Sequence, residues 1–153
     1  VTNAEDERAV LFANAALYDA FETADLDLME AVWIDGPGAD DVICVHPGWP
    51  PLRGRAQVLR SWAMIMANTT NISFVLTDID ATVDGDVAVV TCAENILTGM
   101  PEEADMSTTL ASAGLSGGRV AATNVFRRTG SGWRLWVHHA SPVLSVTEEV
   151  EEE

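Results

Sequence analysis

His46, Glu94, Asn124 and His139 are the side chains whose types and placement point to proton chemistry. His46 ends the run Val42-Ile43-Cys44-Val45-His46 ahead of Pro47-Gly48-Trp49, and His139 follows Trp133-Arg134-Leu135-Trp136-Val137-His138 ahead of Ala140-Ser141-Pro142. Each short apolar run would carry an imidazole from a packed sheet to its rim. Histidine has the unperturbed pKa nearest neutrality, so two such placements suggest a small polar site at the mouth of an apolar pocket. A neutral imidazole can remove a proton next to a carbonyl or assist loss of a hydroxyl, an effect typically worth ~10²–10⁴-fold in rate. Asn124 could donate to the oxygen that gains charge. Glu94, buried beside His139, would orient that ring and keep it protonated, or take up a proton itself.

The same residues have structural readings. A strand-end histidine can simply bond nearby backbone, Asn124 can pair with His46 or Glu94, and Glu94 can pair with Arg53, Arg55 or Arg119. His46, His139 and Glu94 have the composition of a two-histidine, one-carboxylate triad, but no helical histidine spacing supports it. Neither a metal nor an organic cofactor is expected.

The elements that must position these groups are legible from periodicity. Residues 4–23 carry Val10, Ala13, Leu17 and Phe21 at helical spacing, with acids in the first turn where the helix dipole favours them. Asp25 can cap a second helix over 26–33, and Asp35-Gly36-Pro37-Gly38 breaks it. Residues 55–67 form a third helix, apolar round most of its circumference and so expected to be buried on more than one side. From residue 72 the pattern turns to strands. Segment 74–83 leads through Asp84-Gly85 into 86–97, and 120–128 leads through Thr129-Gly130-Ser131-Gly132 into 133–141. Between these hairpins, 99–118 reads as a long loop and a candidate lid. Helices followed by a meander of long strands give an α+β fold with the helices on one face of a curved sheet.

Alternation sorts the faces. Cys44 shares one with His46, Ala88, Val90 and Cys92 share one with Glu94, and Val120, Ala122 and Phe126 share one with Asn124. If Arg128 pairs with Trp133, unbroken antiparallel pairing sets Ala122 opposite His139, turning His139 inward and His138 outward. A one-residue bulge would reverse the two histidines. The pocket wall is then Leu17, Trp49, Trp62, Met64, Cys92 and Phe126. The outward set Thr123, Val125, Trp136 and His138, with Val87, Val89 and Ala93, is too apolar for a solvated face, which suggests a homodimer interface.

Bulk composition narrows the partners. The chain has 153 residues, 48% of them apolar, enough for one domain (residues 1–144) with a real core, followed by an acidic tail over 145–153. Net charge is −16, and all 8 basic residues are arginine. Nucleic acid and anionic membrane are poor partners for such a surface. No apolar run approaches the ~20 residues of a membrane span. The acidic start differs from a secretory signal, and Cys44 and Cys92 lie in apolar runs without metal-ligand spacing, so a cytoplasmic protein with reduced, buried thiols is expected.

Ala24-Asp25, Val45-His46-Pro47, Pro51-Leu52-Arg53-Gly54-Arg55 and the closing Trp133…His139-Ala140-Ser141-Pro142 together resemble the nuclear transport factor 2-like superfamily. That group holds ketosteroid isomerases, scytalone dehydratase, SnoaL-like polyketide cyclases and a kinase association domain. The resemblance covers roughly residues 9–143 and implies a cone, in which a strongly bent antiparallel or mixed sheet wraps the N-terminal helices around an apolar pocket. By this resemblance His46 falls at the steroid isomerases' aspartate base, and Asn124 at their protonated oxyanion donor. Leu17 stands where they keep a tyrosine, with Tyr18 turned about 100° away. Glu94 and Asn124 fall where the association domain places arginines. The implied activity is isomerisation, cyclisation or dehydration of a small apolar carbonyl or hydroxyl compound. The alternative is a non-catalytic ligand-binding or association module. An epoxide hydrolase-like reading needs an inward arginine, which the sequence does not supply.

Overall fold

A computed structural model describes residues 3–98 and 118–144. The expected loop over 99–118 therefore lies, apart from Gly118, outside the described residues, as does the acidic tail.

Helix α1 (Asn3–Thr23) begins with Glu5 and Asp6 in its first turn. It buries Val10, Asn14, Leu17 and Tyr18, a stripe at helical spacing that is polar at two positions. The helix stops at Ala24, whose φ of 54° is left-handed. Asp25 then caps α2 (Leu26–Val32) by accepting from the Leu28 N–H at 3.0 Å, as its sequence predicts. Helix α3 (Arg55–Ala67) buries Val58, Ser61, Trp62 and Met66. Its buried face is narrower than its composition suggests: Ala56 and Met64 are exposed.

The strands are β1 (Ile43–Val45), β2 (Leu52–Arg53), β3 (Ile72–Asp84), β4 (Val87–Thr98), β5 (Arg119–Thr129) and β6 (Gly132–Pro142). They form one mixed sheet in the order β2-β1-β6-β5-β4-β3, with β1 parallel to β6 and the other pairs antiparallel. Strand β2 is too short to give a period and was not legible in the sequence. Helix α1 packs across β3, β4 and β6, and α3 packs against α2 and β2. The inner face carries Ala88, Val90, Cys92 and Glu94 from β4 and Val120, Ala122, Asn124 and Phe126 from β5, all buried. These are the faces that alternation predicts.

The last hairpin departs from regular pairing. Arg128 pairs with Trp133 and Phe126 with Leu135, as expected, but Val125 pairs with Val137. Trp136 is thus an extra residue on β6, a bulge that changes the phase of everything after it. His138 pairs with Asn124 on β5 and with Cys44 on β1, both inward residues. His139 pairs with Thr123 and is exposed. The expectation of an inward His139 is therefore corrected: the bulge turns His138 in and His139 out. The bulged Trp136 ring is covered by the Arg127 guanidinium, 3.9 Å from its centroid.

Candidate functional site

Four elements bring a closed polar network onto the concave face of the sheet. Asn124, fully buried at the middle of β5, is its centre. Its amide N–H groups donate to Asn14 Oδ1 at 2.8 Å and to the Tyr18 hydroxyl at 3.2 Å. Its carbonyl oxygen accepts from His138 Nδ1 at 2.6 Å. Tyr18 in turn donates to Glu94 Oε2 at 2.6 Å, and Cys92 Sγ lies 3.8 Å from the same hydroxyl. Asn14 and Tyr18 are one helical turn apart, so α1 presents both to the sheet.

This arrangement alters the role expected of Asn124. Both amide hydrogens are already donated within the protein, so the group orients its neighbours and has no hydrogen left for a developing oxyanion. The expectation that Tyr18 points elsewhere is also corrected. Helix α1 is covered widely enough that Leu17 and Tyr18, about 100° apart, are both buried. Leu17 belongs to the core cluster, while Tyr18 enters the polar network.

Glu94 is 4% exposed, and its partner here is Tyr18 rather than His139 or a rim arginine. Among the described residues the ion pairs join Arg55 to Asp35, Arg119 to Asp78, and Arg128 to Asp6 and Asp86. Burial without a cation disfavours the charged carboxylate, and the Tyr18 hydrogen bond only partly offsets that. The Glu94 carboxyl is pushed up to about 7. Burial and the nearby Glu94 charge hold the Tyr18 phenol well above its usual range.

His46, 3% exposed, sits at the end of β1 beside the network. Its Nε2 lies 2.9 Å from Ser61 Oγ, and Ser61 spends its one hydroxyl hydrogen on the Val58 carbonyl at 2.7 Å. Ser61 must therefore accept, which assigns the His46 proton to Nε2 and the lone pair to Nδ1. In His138 the bond to Asn124 does the opposite, assigning the proton to Nδ1 and the lone pair to Nε2. Burial lowers His46 to about 4. Burial, with the charges of His46 and His139 adding to it, lowers His138 to about 3. Both rings are neutral at neutral pH, and both are weaker bases than the Glu94 carboxylate.

Aromatic rings surround the imidazoles. Trp62 stands 4.7 Å from His46 and 5.8 Å from His138, centroid to centroid, and Trp49 stands 4.9 Å from His46. His46 and His138 are 6.5 Å apart. Of the expected wall, Trp49 and Trp62 contact the imidazoles, Cys92 contacts Tyr18, and Leu17 and Phe126 lie in the core. Met64 is corrected: it is 51% exposed, because its position on α3 turns it away from the sheet. His139 lies outside the site. Asn14, Tyr18, Ser61 and His138 are the members that sequence reasoning left outside the site. Asn14 had a signal, being an amide within the buried stripe of α1, and Ser61 one beside Trp62 on the buried face of α3. Both cysteines are free and buried, as expected.

Residues 10–145 match the family model of the SnoaL-like domain. A candidate dehydratase of the NTF2-like family from Streptomyces avermitilis is 47% identical, with a TM-score of 0.78, over 94% of this chain and 100% of that one. A candidate calcium/calmodulin-dependent protein kinase type II association domain from Thiobacillus denitrificans is 32% identical, with a TM-score of 0.69, over 86% and 93% of the two chains. An NTF2-like protein of unknown function from Pseudomonas putida, 20% identical over 95% of this chain and 91% of that one, shares the fold with a TM-score of 0.73. No curated protein matches the chain.

Proposed function

This chain belongs to the SnoaL-like domain family of the NTF2-like superfamily, and we propose that it is a small-molecule enzyme working by general acid–base catalysis. The reaction class is isomerisation, cyclisation or dehydration of an apolar carbonyl or hydroxyl compound, without an organic cofactor. The observation that carries this reading is the buried Glu94 carboxyl, bonded to Tyr18 and brought to about 7. A group poised near the working pH is the most effective proton carrier, since both of its forms are populated. In the ionised form Glu94 takes a proton from the carbon next to a carbonyl, and in the protonated form it returns one to carbon or to a departing hydroxyl. Tyr18 stabilises the ionised form by donating to it. Asn14 and Asn124 hold Tyr18 in place, and Asn124 sets the tautomer of His138. Proton transfer thus passes from His46, the base expected from sequence, to Glu94.

The test is proton exchange in heavy water. The protein is incubated with a series of cyclic ketones, and deuterium uptake next to the carbonyl is followed by NMR. Enzymatic exchange with an apparent midpoint near pH 7, lost in Glu94→Gln, supports the reading. Saturable binding of the ketones with no exchange above the buffer rate refutes it.

A second reading, an association module, draws support from the two indoles packed on His46. Such a module pairs two copies through the outer sheet face. The expected outer set loses His138, which is inward, and Ala93, which is buried, and gains exposed His139 and Leu97 beside Val89 and Thr123. A monomeric mass at sedimentation equilibrium excludes that pairing.

A further inference from the structure

We propose that His138 is a positioning residue for Glu94: acting through Asn124 and Tyr18, its Nδ1–H fixes the direction in which the Tyr18 hydroxyl hydrogen points. The inference rests on the reading of Glu94 as proton carrier, and it adds to that machinery a residue two side chains removed from the carboxyl.

Glu94 and Asn124 stand on neighbouring strands without facing each other, since Glu94 pairs with Val120 and Asn124 with Val90. Tyr18 spans the gap from α1, donating to Glu94 Oε2 at 2.6 Å and accepting from Asn124 Nδ2 at 3.2 Å. His138 stands opposite Asn124 on β6, its Nδ1 2.6 Å from Asn124 Oδ1. The bulge at Trp136 brings it there, and parallel β1 pairs with it on the far side. Leu76 and Val120, the residues opposite Glu94 on β3 and β5, are apolar. The titratable neighbours of Glu94 are Tyr18 from α1 and Cys92 from its own strand, and those of His138 are Cys44, His46 and His139. Burial holds both thiols and the phenol above their usual ranges, and the His46 and His138 imidazoles below theirs. Of the buried groups, Glu94 is therefore the one that changes charge near neutral pH.

These contacts have one consistent sense. An ionised carboxyl only accepts, so it takes the single hydroxyl hydrogen of Tyr18. Tyr18 then meets Asn124 as an acceptor, which sets the amide nitrogen on that side and the amide oxygen toward β6. That buried oxygen requires a donor, and His138 Nδ1–H meets it. Turned over, the amide would point its oxygen at Tyr18 and draw the phenol hydrogen away from Glu94. It would also set an N–H against His138 Nδ1–H. Asn14 resists the turn less, because its own amide can turn with it: the Cys92 thiol beyond is a weak partner in either sense. His138 is less free. Its Nε2 makes no hydrogen bond among the described residues, so a proton moved there would be a buried N–H without an acceptor. A donor at this position thus favours the ionised form of Glu94, and the coupling is reciprocal.

The chain has a single tyrosine, so a ¹³Cζ label gives one signal, which reports on the carboxyl that Tyr18 touches. The experiment is a pH titration of that signal in the whole chain, in the wild type, Glu94→Gln, His138→Leu and His138→Asn. The wild type should show a step at about pH 7 that Glu94→Gln lacks. His138→Leu, without a donor, should move the step to higher pH, Glu94 becoming a roughly tenfold weaker acid. His138→Asn, whose amide N–H can take the place of Nδ1–H, should restore it. A merely structural histidine lowers the melting temperature of both variants and leaves the step in place. That result, or an equal displacement of the step in both variants, overturns the proposal. If His138→Leu does not fold, the ¹⁵N couplings of the wild-type imidazoles decide at a pH above the step. A proton on His138 Nδ1 supports the proposal, and one on Nε2 overturns it. The readout needs no turnover, so missing deuterium exchange refutes the enzyme reading alone, and an unmoved step refutes this one alone.

Discussion

Two polar clusters join helix α1 to the sheet, one outside and one inside, and they are built on opposite principles. Outside, the Arg128 guanidinium donates to Asp6 at 2.9 and 3.0 Å and to Asp86 at 3.0 Å, and it lies 4.5 Å over the Trp133 ring. Its bond to Arg128 holds the Asp6 carboxyl below the usual range. Inside, Asn14, Tyr18, Glu94, Asn124 and His138 make their bonds with no formal cation and almost no access to water. The outer cluster can replace a lost partner with solvent and is screened by salt. The inner one cannot, because each lost partner leaves a desolvated group unpaired. Structural charge pairing is thus kept at the surface, while the groups that burial holds in their uncharged forms, Glu94 pushed up and His46 and His138 pushed down, are kept dry.

The sharpest way to break this contrast is Asn124→Leu, which removes one acceptor and two donors at once. With an unpaired buried polar group costing ~1–3 kcal/mol, the variant should lose at least about 3 kcal/mol of unfolding free energy in urea. A loss below about 1 kcal/mol would mean that the inner network is not closed in solution.

Next comes Glu94→Gln, which keeps an acceptor for Tyr18 and cannot ionise. The wild-type carboxyl titrates at about 7 in the fold against 4.5 when free, so its burial penalty is absent below pH 4.5, grows as pH rises, and is complete above pH 7. Glu94→Gln should therefore match the wild type at pH 4 and exceed it at pH 8 by up to about 3 kcal/mol. The two histidines act in the opposite sense. Their folded values of about 4 and about 3 lie below the free value of 6.5, so their stabilising effect is full above pH 6.5 and is lost as pH falls. Between pH 4.5 and 6.5 the wild type should take up roughly one net proton on unfolding through these three groups, and Glu94→Gln roughly two. Melting profiles across that window read the difference, and parallel profiles would refute the buried carboxyl.

Arg128→Ala should produce a smaller loss in melting temperature that disappears in high salt. Persistence of the loss in high salt would show that the outer cluster is not a screened one. Smallest of all is His139→Ala, which should change neither melting temperature nor exchange activity, whereas His138→Ala should disturb both. Equal effects at the two positions would overturn the bulged register.

Much of this site was legible before any coordinates. His46, Glu94 and Asn124 do share the concave face, because each strand carrying them keeps strict alternation from its apolar residues to the polar one. Cys92 on β4 was found for the same reason, whereas Trp62 came from the apolar spacing of α3 and Trp49 from its place beside His46. Tyr18 was misplaced because a helical angle from Leu17 predicts separation only when one narrow stripe is buried, and α1 is covered more widely. Met64 was misjudged by the converse error, since α3 has a narrower buried face than its composition suggests. Ser61 and Asn14 carry no signal of their own beyond being small polar groups on buried helical faces.

Local periodicity, then, determined the elements, the hairpins, the capped second helix and which residues share a side within each unbroken stretch. It acts through backbone geometry between near neighbours, so one chain segment suffices to read it. The tertiary structure alone decided that Trp136 bulges, that His138 and not His139 enters the network, and that the Asn124 amide is spent on Asn14 and Tyr18. Those outcomes depend on pairing energies between residues from 14 to 110 positions apart. Only in the assembled sheet, with β5 on one side of β6 and parallel β1 on the other, is the phase of the last strand set.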